Sequence, residues 1–120
     1  MTVTELHGTR VMVLAADGPL VASEQDAVDL LGSVFSSRAS VVAVPVSRLP
    51  STFFSLRSGV AGAIVQKLVN YRVRLAVVGD ISSYLGSASL RAFVVEANRG
   101  RDVWFVSSVG ELEGRLVESP

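Results

Sequence analysis

Four short valine-rich runs punctuate this chain, and between them lie segments whose apolar residues recur at three- and four-residue spacing. The runs are RVMVLAA (10–16), SVVAVPV (40–46), VRLAVVGD (73–80) and DVWFVSS (102–108). Each is too short for a helix and too continuously apolar to leave one face in water. Each therefore reads as a strand buried on both sides. Strand followed by helix, four times over, argues for a parallel sheet joined by right-handed helical crossovers. The expected fold class is α/β: a single domain over 1–120, with a mostly parallel sheet of four or five strands covered by about four helices. VTEL (3–6) supplies the fifth strand, an edge strand paired to the first valine run through a turn at HGT.

The helical segments carry their own start and stop signals. Ser23 is an N-cap residue with Glu24 and Asp26 in the first turn, where the helix dipole favours carboxylates. The spacing over 23–37 predicts a buried face of Ala27, Val28, Leu30, Leu31, Val34 and Phe35, with Asp26, Asp29 and Ser33 outward. The segment 59–72 buries Val60, Ala61, Ile64, Val65, Leu68 and Val69, and 87–100 buries Leu90, Phe93, Val94 and Ala97 before a Gly100 cap. A last helix, 109–119, rests on Val109, Leu112 and Leu116. Pro45 lacks the N–H that a central ladder uses, so its strand stops there or ends irregularly. The connection 47–58 contains Phe53 and Phe54, and aromatic residues in a loop hold it down on the core.

Charge and composition exclude several function classes. Eleven basic residues balance eleven acidic ones, which removes the electrostatic basis for nucleic acid or an anionic membrane as partner. The absence of cysteine excludes disulfides, thiolate metal sites and cysteine nucleophiles. No apolar run approaches the roughly 20 residues of a membrane span, and the first ten residues do not read as a signal peptide. The expectation is a cytoplasmic protein without a cofactor or a metal.

Three blocks carry a resemblance: FFSLRSGVAGAIVQKLVNYRVRLAVVGDIS (53–82), SLRAFVVEANRG (89–100) and VWFV (103–106). Together with DAVDLLG (26–32) they resemble a small bacterial family catalogued as domain-of-unknown-function family 4180, over about three quarters of the chain. That family usually has a glutamate after the second glycine of GVAG, where this chain has Ala63. The element order is also similar to the STAS domain of anti-sigma-factor antagonists and anion transporters. That resemblance implies a STAS-like fold in which a loop carrying Ser-Gly leads from a strand into the next helix. In the antagonists this serine is phosphorylated, and the surface around it binds a kinase partner. Ser58 in RSGVAG (57–62) is the residue onto which that role carries.

Read from the residues alone, Ser58, Gly59 and Gly62 admit two interpretations. They form a phosphoacceptor or partner-binding corner, or they are a helix cap with small residues for close packing. A P-loop is excluded, because the lysine followed by serine or threonine is missing. Asp80 ends a strand and is followed by Ser82 and Tyr84. With Phe53, Phe54 and Arg57 these residues make a candidate ligand pocket beyond the carboxyl ends of the strands. The same aspartate would equally cap a turn. His7 is the single histidine, with no sequence signal placing it near Ser58. The arginines fall on expected solvent faces or helix ends, and Trp104 reads as core or as an interface anchor. Two functional readings result. The first is a non-enzymatic regulatory module that binds an unidentified protein partner or itself and is switched at Ser58. The second is a small-molecule-binding protein or modest enzyme with a pocket near 47–58 and 80–84.

Overall fold

Covering both faces of the valine runs decides the architecture. The computed structural model describes residues 1–118. Its strands are β1 (Thr2–Leu6), β2 (Thr9–Val13), β3 (Val41–Pro45), β4 (Arg74–Val78) and β5 (Val103–Val106), in one mixed sheet of order β1-β2-β3-β4-β5. β1 runs antiparallel to β2, and every other pair is parallel. Helices α1 (Glu24–Ser37), α2 (Val60–Asn70) and α3 (Ala88–Arg99) make the crossovers, and α4 (Val109–Glu118) comes after β5. Position 119 of the last predicted helix lies outside the described residues.

Each crossover moves one strand along in the same direction. With a common hand, all three helices fall on the same face of the sheet. Met12, Val42, Val44, Leu75, Val77, Val103 and Phe105 point into that layer and meet Ala27, Leu31 and Val34 of α1, Ala61, Ile64 and Leu68 of α2, and Leu90 of α3. The alternate residues, Val11, Val41, Ala43, Ala76, Trp104 and Val106, point the other way and are covered by Leu112 and Leu116 of α4. Both alternating sets are buried, which explains the unbroken apolar runs.

The hairpin expected at the amino terminus is present. His7 and Gly8 form its two-residue turn, with φ of 51° and 83°. Positive φ at both central residues suits a turn whose twist matches that of the flanking strands. The α1 start agrees with expectation: Ser23 Oγ accepts from the Asp26 N–H at 3.1 Å, and Asp26 Oδ2 accepts from the Ala22 N–H at 2.9 Å. Two residues depart from the predicted α1 face. Val28 is 41% exposed and Phe35 51%. The helix rests on the sheet through the stripe of Ala27, Leu31 and Val34, which leaves its shoulder to water. There Phe35 leans edge-on against Tyr71, with ring centroids 5.7 Å apart. Gly100 closes α3 in an extended conformation, not a left-handed one. The left-handed closing residues are arginines instead, Arg38 after α1 and Arg72 after α2.

β5 is an edge strand, yet all four of its residues are buried. The Asp102 and Val106 carbonyls accept from the Leu75 and Gly79 N–H groups of the β4 side, so the Phe105 peptide groups face outward. Asn98 of α3 answers them. Its Oδ1 accepts from the Phe105 N–H at 2.7 Å, and its Nδ2 donates to the Phe105 carbonyl at 3.3 Å. One side-chain amide thus replaces the peptide of an absent sixth strand and blunts the edge. Replacing Asn98 by leucine removes both partners. The expected cost is about 1–3 kcal/mol in a urea denaturation, with self-association at high concentration from the uncapped edge. Asn98→Asp, which keeps only the acceptor, should lie between the two.

Candidate functional site

The route from β3 into α2 is built to hold a corner still. After Pro45 the chain makes three single 3-10 turns, Val46–Arg48, Ser51–Phe54 and Leu56–Ser58. Phe53 and Phe54 are 1% and 4% exposed, which pins the middle turn to the core. Phe54 also stacks on Tyr84 at 4.2 Å, with the rings 10° from parallel. Tyr84 belongs to the turn after β4, so the two connections at the carboxyl edge of the sheet are braced against each other. Arg48 braces a third: Nε donates to the Pro19 carbonyl at 2.6 Å and Nη1 to the Ala15 carbonyl at 3.0 Å. Sequence reasoning does not single out Arg48, because its partners are backbone carbonyls about thirty residues away and leave no side-chain pattern.

Ser58, Gly59 and Gly62 are all exposed at the entry to α2. Ser58 Oγ accepts from the Val60 N–H at 3.1 Å, one of the orphan donors of the helix start. Its single proton is shared between the Thr52 and Ser55 carbonyls, at 2.6 and 2.8 Å. Gly59 holds φ of 76° and leaves open space where a Cβ would stand. The corner therefore presents a hydroxyl on a turn fixed from beneath by two buried rings. Leu56 and Arg57 flank it on the surface.

The second group of predicted residues divides. Phe53 and Phe54 are core residues and do not form cavity walls: burying their rings outweighs leaving them at a solvent-filled pocket. Tyr84 is half-buried against Phe54, and Arg57 is exposed beside Ser58. Asp80 and Ser82 do line a cavity, of about 360 Å³, with Gly79, Phe105 and Glu111 at the carboxyl ends of β4 and β5. Gly79, with φ of 133°, lets the chain turn there while Val46 Cγ2 stands 3.1 Å from the site of a Cβ. The Asp80 carboxylate accepts from the Ser82 N–H at 2.8 Å. That backbone bond first, and the Ser82 side chain second, hold its pKa below the usual carboxylate value.

His7 lies elsewhere. It sits in the β1–β2 turn, at the amino ends of the parallel strands, with Nε2 3.2 Å from a carboxylate oxygen of Glu113. Ser58 and Asp80 lie at the carboxyl ends, so the fold does not bring this histidine to either. Among the described residues, no group of three or more metal-ligating side chains is close enough together to hold an ion, and no helix is long and apolar enough to cross a membrane.

The chain matches the family described as Domain of unknown function (DUF4180) over residues 6–116. No curated protein and no solved structure matches it.

The two glycines of the corner should respond oppositely to alanine. Gly59→Ala forces a left-handed residue to carry a Cβ and should lower stability by about 1–2 kcal/mol. Gly62→Ala, in an exposed helical turn with space around it, should raise stability by about 0.5–1 kcal/mol. Thermal melts of the two variants decide it. For Asp80, a lowered folded-state pKa means that the carboxylate's contribution is complete above its unfolded pKa and is lost as pH falls through the folded one. Protection of the Ser82 amide, taken relative to its intrinsic exchange rate at each pH, should therefore fall on acidification below the ordinary carboxylate range, and Asp80→Ala should remove that fall.

Proposed function

The chain belongs to the DUF4180 family, and from the corner at Ser58 we propose that it is a non-enzymatic regulatory module of STAS-like fold, switched by phosphorylation of Ser58. The observation that carries this reading is an exposed hydroxyl on a turn braced from below, at the opening of α2. Two strands ahead of α1, and then strictly alternating strands and helices, supply the element order that the STAS-like reading needs.

The hydrogen bonds of the corner explain how it would switch. A partner kinase would move the terminal phosphoryl group of its nucleotide onto Ser58 Oγ, and the hydroxyl proton would leave. Thr52 and Ser55 then lose the donor they share. A group of about two negative charges stands against two carbonyl oxygens in its place. The turn 51–58 has to open, while Phe53 and Phe54 keep the loop tethered. Leu56 and Arg57, beside the serine, move with it. A partner that reads the closed corner is released, which couples one covalent event to one surface.

Intact-mass analysis of protein from its native host should show a phosphate gain that Ser58→Ala eliminates. A partner retained by wild type and by Ser58→Ala should be lost with Ser58→Glu. An unmodified Ser58 under all growth conditions, with Ser58→Glu retaining every partner, counts against the switch.

A second reading rests on the cavity of about 360 Å³ that Asp80 and Ser82 line. Its place beyond the carboxyl ends of parallel strands is where open α/β sheets bind small molecules. In this reading the protein takes a hydroxyl-bearing metabolite whose donors meet Asp80 and Glu111. Thermal shift against a metabolite panel, repeated with Asp80→Asn, separates it from the first: a stabilising hit that the variant loses supports the pocket.

A further inference from the structure

The opposite edge of the sheet carries a larger cleft, of about 670 Å³, lined by His7, Ser40, Arg72, Arg74, Arg101 and Asp102 among others. It lies at the far end of α2 from Ser58; the eleven residues of that helix span about 16 Å. Among the described residues that line it, Arg72 and Arg74 bring two guanidinium groups, beside an Arg101 that already has a partner and the Asp102 carboxylate.

Two of these cations are held there by the fold. Arg72 closes α2 in a left-handed conformation with φ of 59°, beside the negative end of the helix dipole. Arg74 opens β4, and its guanidinium carbon is 4.4 Å from the centre of the Trp104 ring. Arg115 of α4 lies over the same ring at 4.3 Å. The helix dipole accounts for Arg72 but not for Arg74, which is a strand residue on the side of the sheet that α4 covers. Burial first, then Arg101, lowers the Arg74 pKa. Asp102 opposes that shift and Arg115 adds to it. Arg74 is thus a partly desolvated cation with Arg101, Asp102 and Arg115 for neighbours. Neither Arg72 nor Arg74 donates a side-chain hydrogen bond to another described residue, so their planar forks remain available.

We propose that this cleft binds a phosphate-type anion, free or as the phosphoryl group of a small metabolite, between the guanidinium groups of Arg72 and Arg74. A guanidinium offers paired N–H groups that match two oxygens of a phosphate. Two such groups suit a dianion, where a single carboxylate would engage one. Thr9 and Ser40, which also line the cleft, bring hydroxyl donors for the remaining oxygens. The site shares no residue with the Ser58 corner and stands or falls independently of it.

Titration calorimetry with inorganic phosphate and with ribose 5-phosphate, each against sodium chloride at matched ionic strength, tests the site. Wild type should bind at one saturable site, and affinity should fall as salt rises. Arg72→Gln, shown to be folded by its thermal melt, should weaken binding by about tenfold or more, the loss of one charge-assisted pair. Arg91→Gln, in the first turn of α3 at the carboxyl edge of the sheet, should bind as wild type does. Tighter binding of ribose 5-phosphate than of phosphate identifies a phosphorylated metabolite, and equal affinity identifies the free anion. No saturable heat from either probe, or an Arg72→Gln variant that binds like wild type, overturns the proposal.

Discussion

A parallel sheet is stable only when both of its faces are covered, and here three consecutive crossovers of one hand place α1, α2 and α3 on the same face. The other face falls to α4 alone. That asymmetry shapes the sheet beneath α4 and the two ends of its strands. Ala43 and Ala76 sit opposite each other in neighbouring strands and are fully buried, so the sheet is low where the short helix crosses it. Trp104 fills the flank beneath Arg74 and Arg115, and its Nε1 donates to the Gly100 carbonyl at 2.8 Å. A ten-residue helix cannot cover five strands from end to end. Leu116 of α4 borders the arginine-lined cleft at the amino edge of the sheet.

The two edges of the sheet are consequently different in kind. At the carboxyl edge the connections are locked together by apolar and backbone contacts: Phe53 and Phe54 in the core, Phe54 on Tyr84, Arg48 on the carbonyls of the preceding loop. Such bracing holds Ser58 in one place, as the proposed switch requires. At the amino edge the fixed elements are helix ends, strand starts and the β1–β2 turn. Their side chains are charged in part because the carboxyl-terminal ends of helices favour cations. The result is a chain of zero net charge in which Arg72 and Arg74 line one cleft, something that whole-chain electrostatics cannot reveal.

Much of the fold is legible because burial on both faces leaves a strong mark in the strands, and because the helices carry caps. Ser23 and Asp26 make the paired contacts expected of an N-terminus, and Leu112 and Leu116 anchor α4 as their spacing requires. The residues that depart from expectation share a cause. Val28 and Phe35 have the right period for a buried face, but period gives only the direction of a side chain. How wide an arc its neighbours cover depends on where the sheet and α2 lie. The sequence offers Phe53 and Phe54 two places, holding a loop down and lining a pocket. One ring cannot do both, and the core claims them. Asn98 and Arg48 are invisible as structural residues, because their partners are backbone groups that any sequence possesses.

The amino-acid sequence by itself determined the layered α/β class, the succession of its elements and the Ser-Gly opening of α2. These depend on local periodicity and turn chemistry, which a chain carries wherever it goes. Only the tertiary structure decided that the β5 edge is closed by a side-chain amide, that Asp80 faces a cavity while the phenylalanines do not, and that Arg72 and Arg74 converge on one cleft. Each of those depends on residues distant in the chain meeting across a sheet, and contacts of that range are set by how the layers pack together.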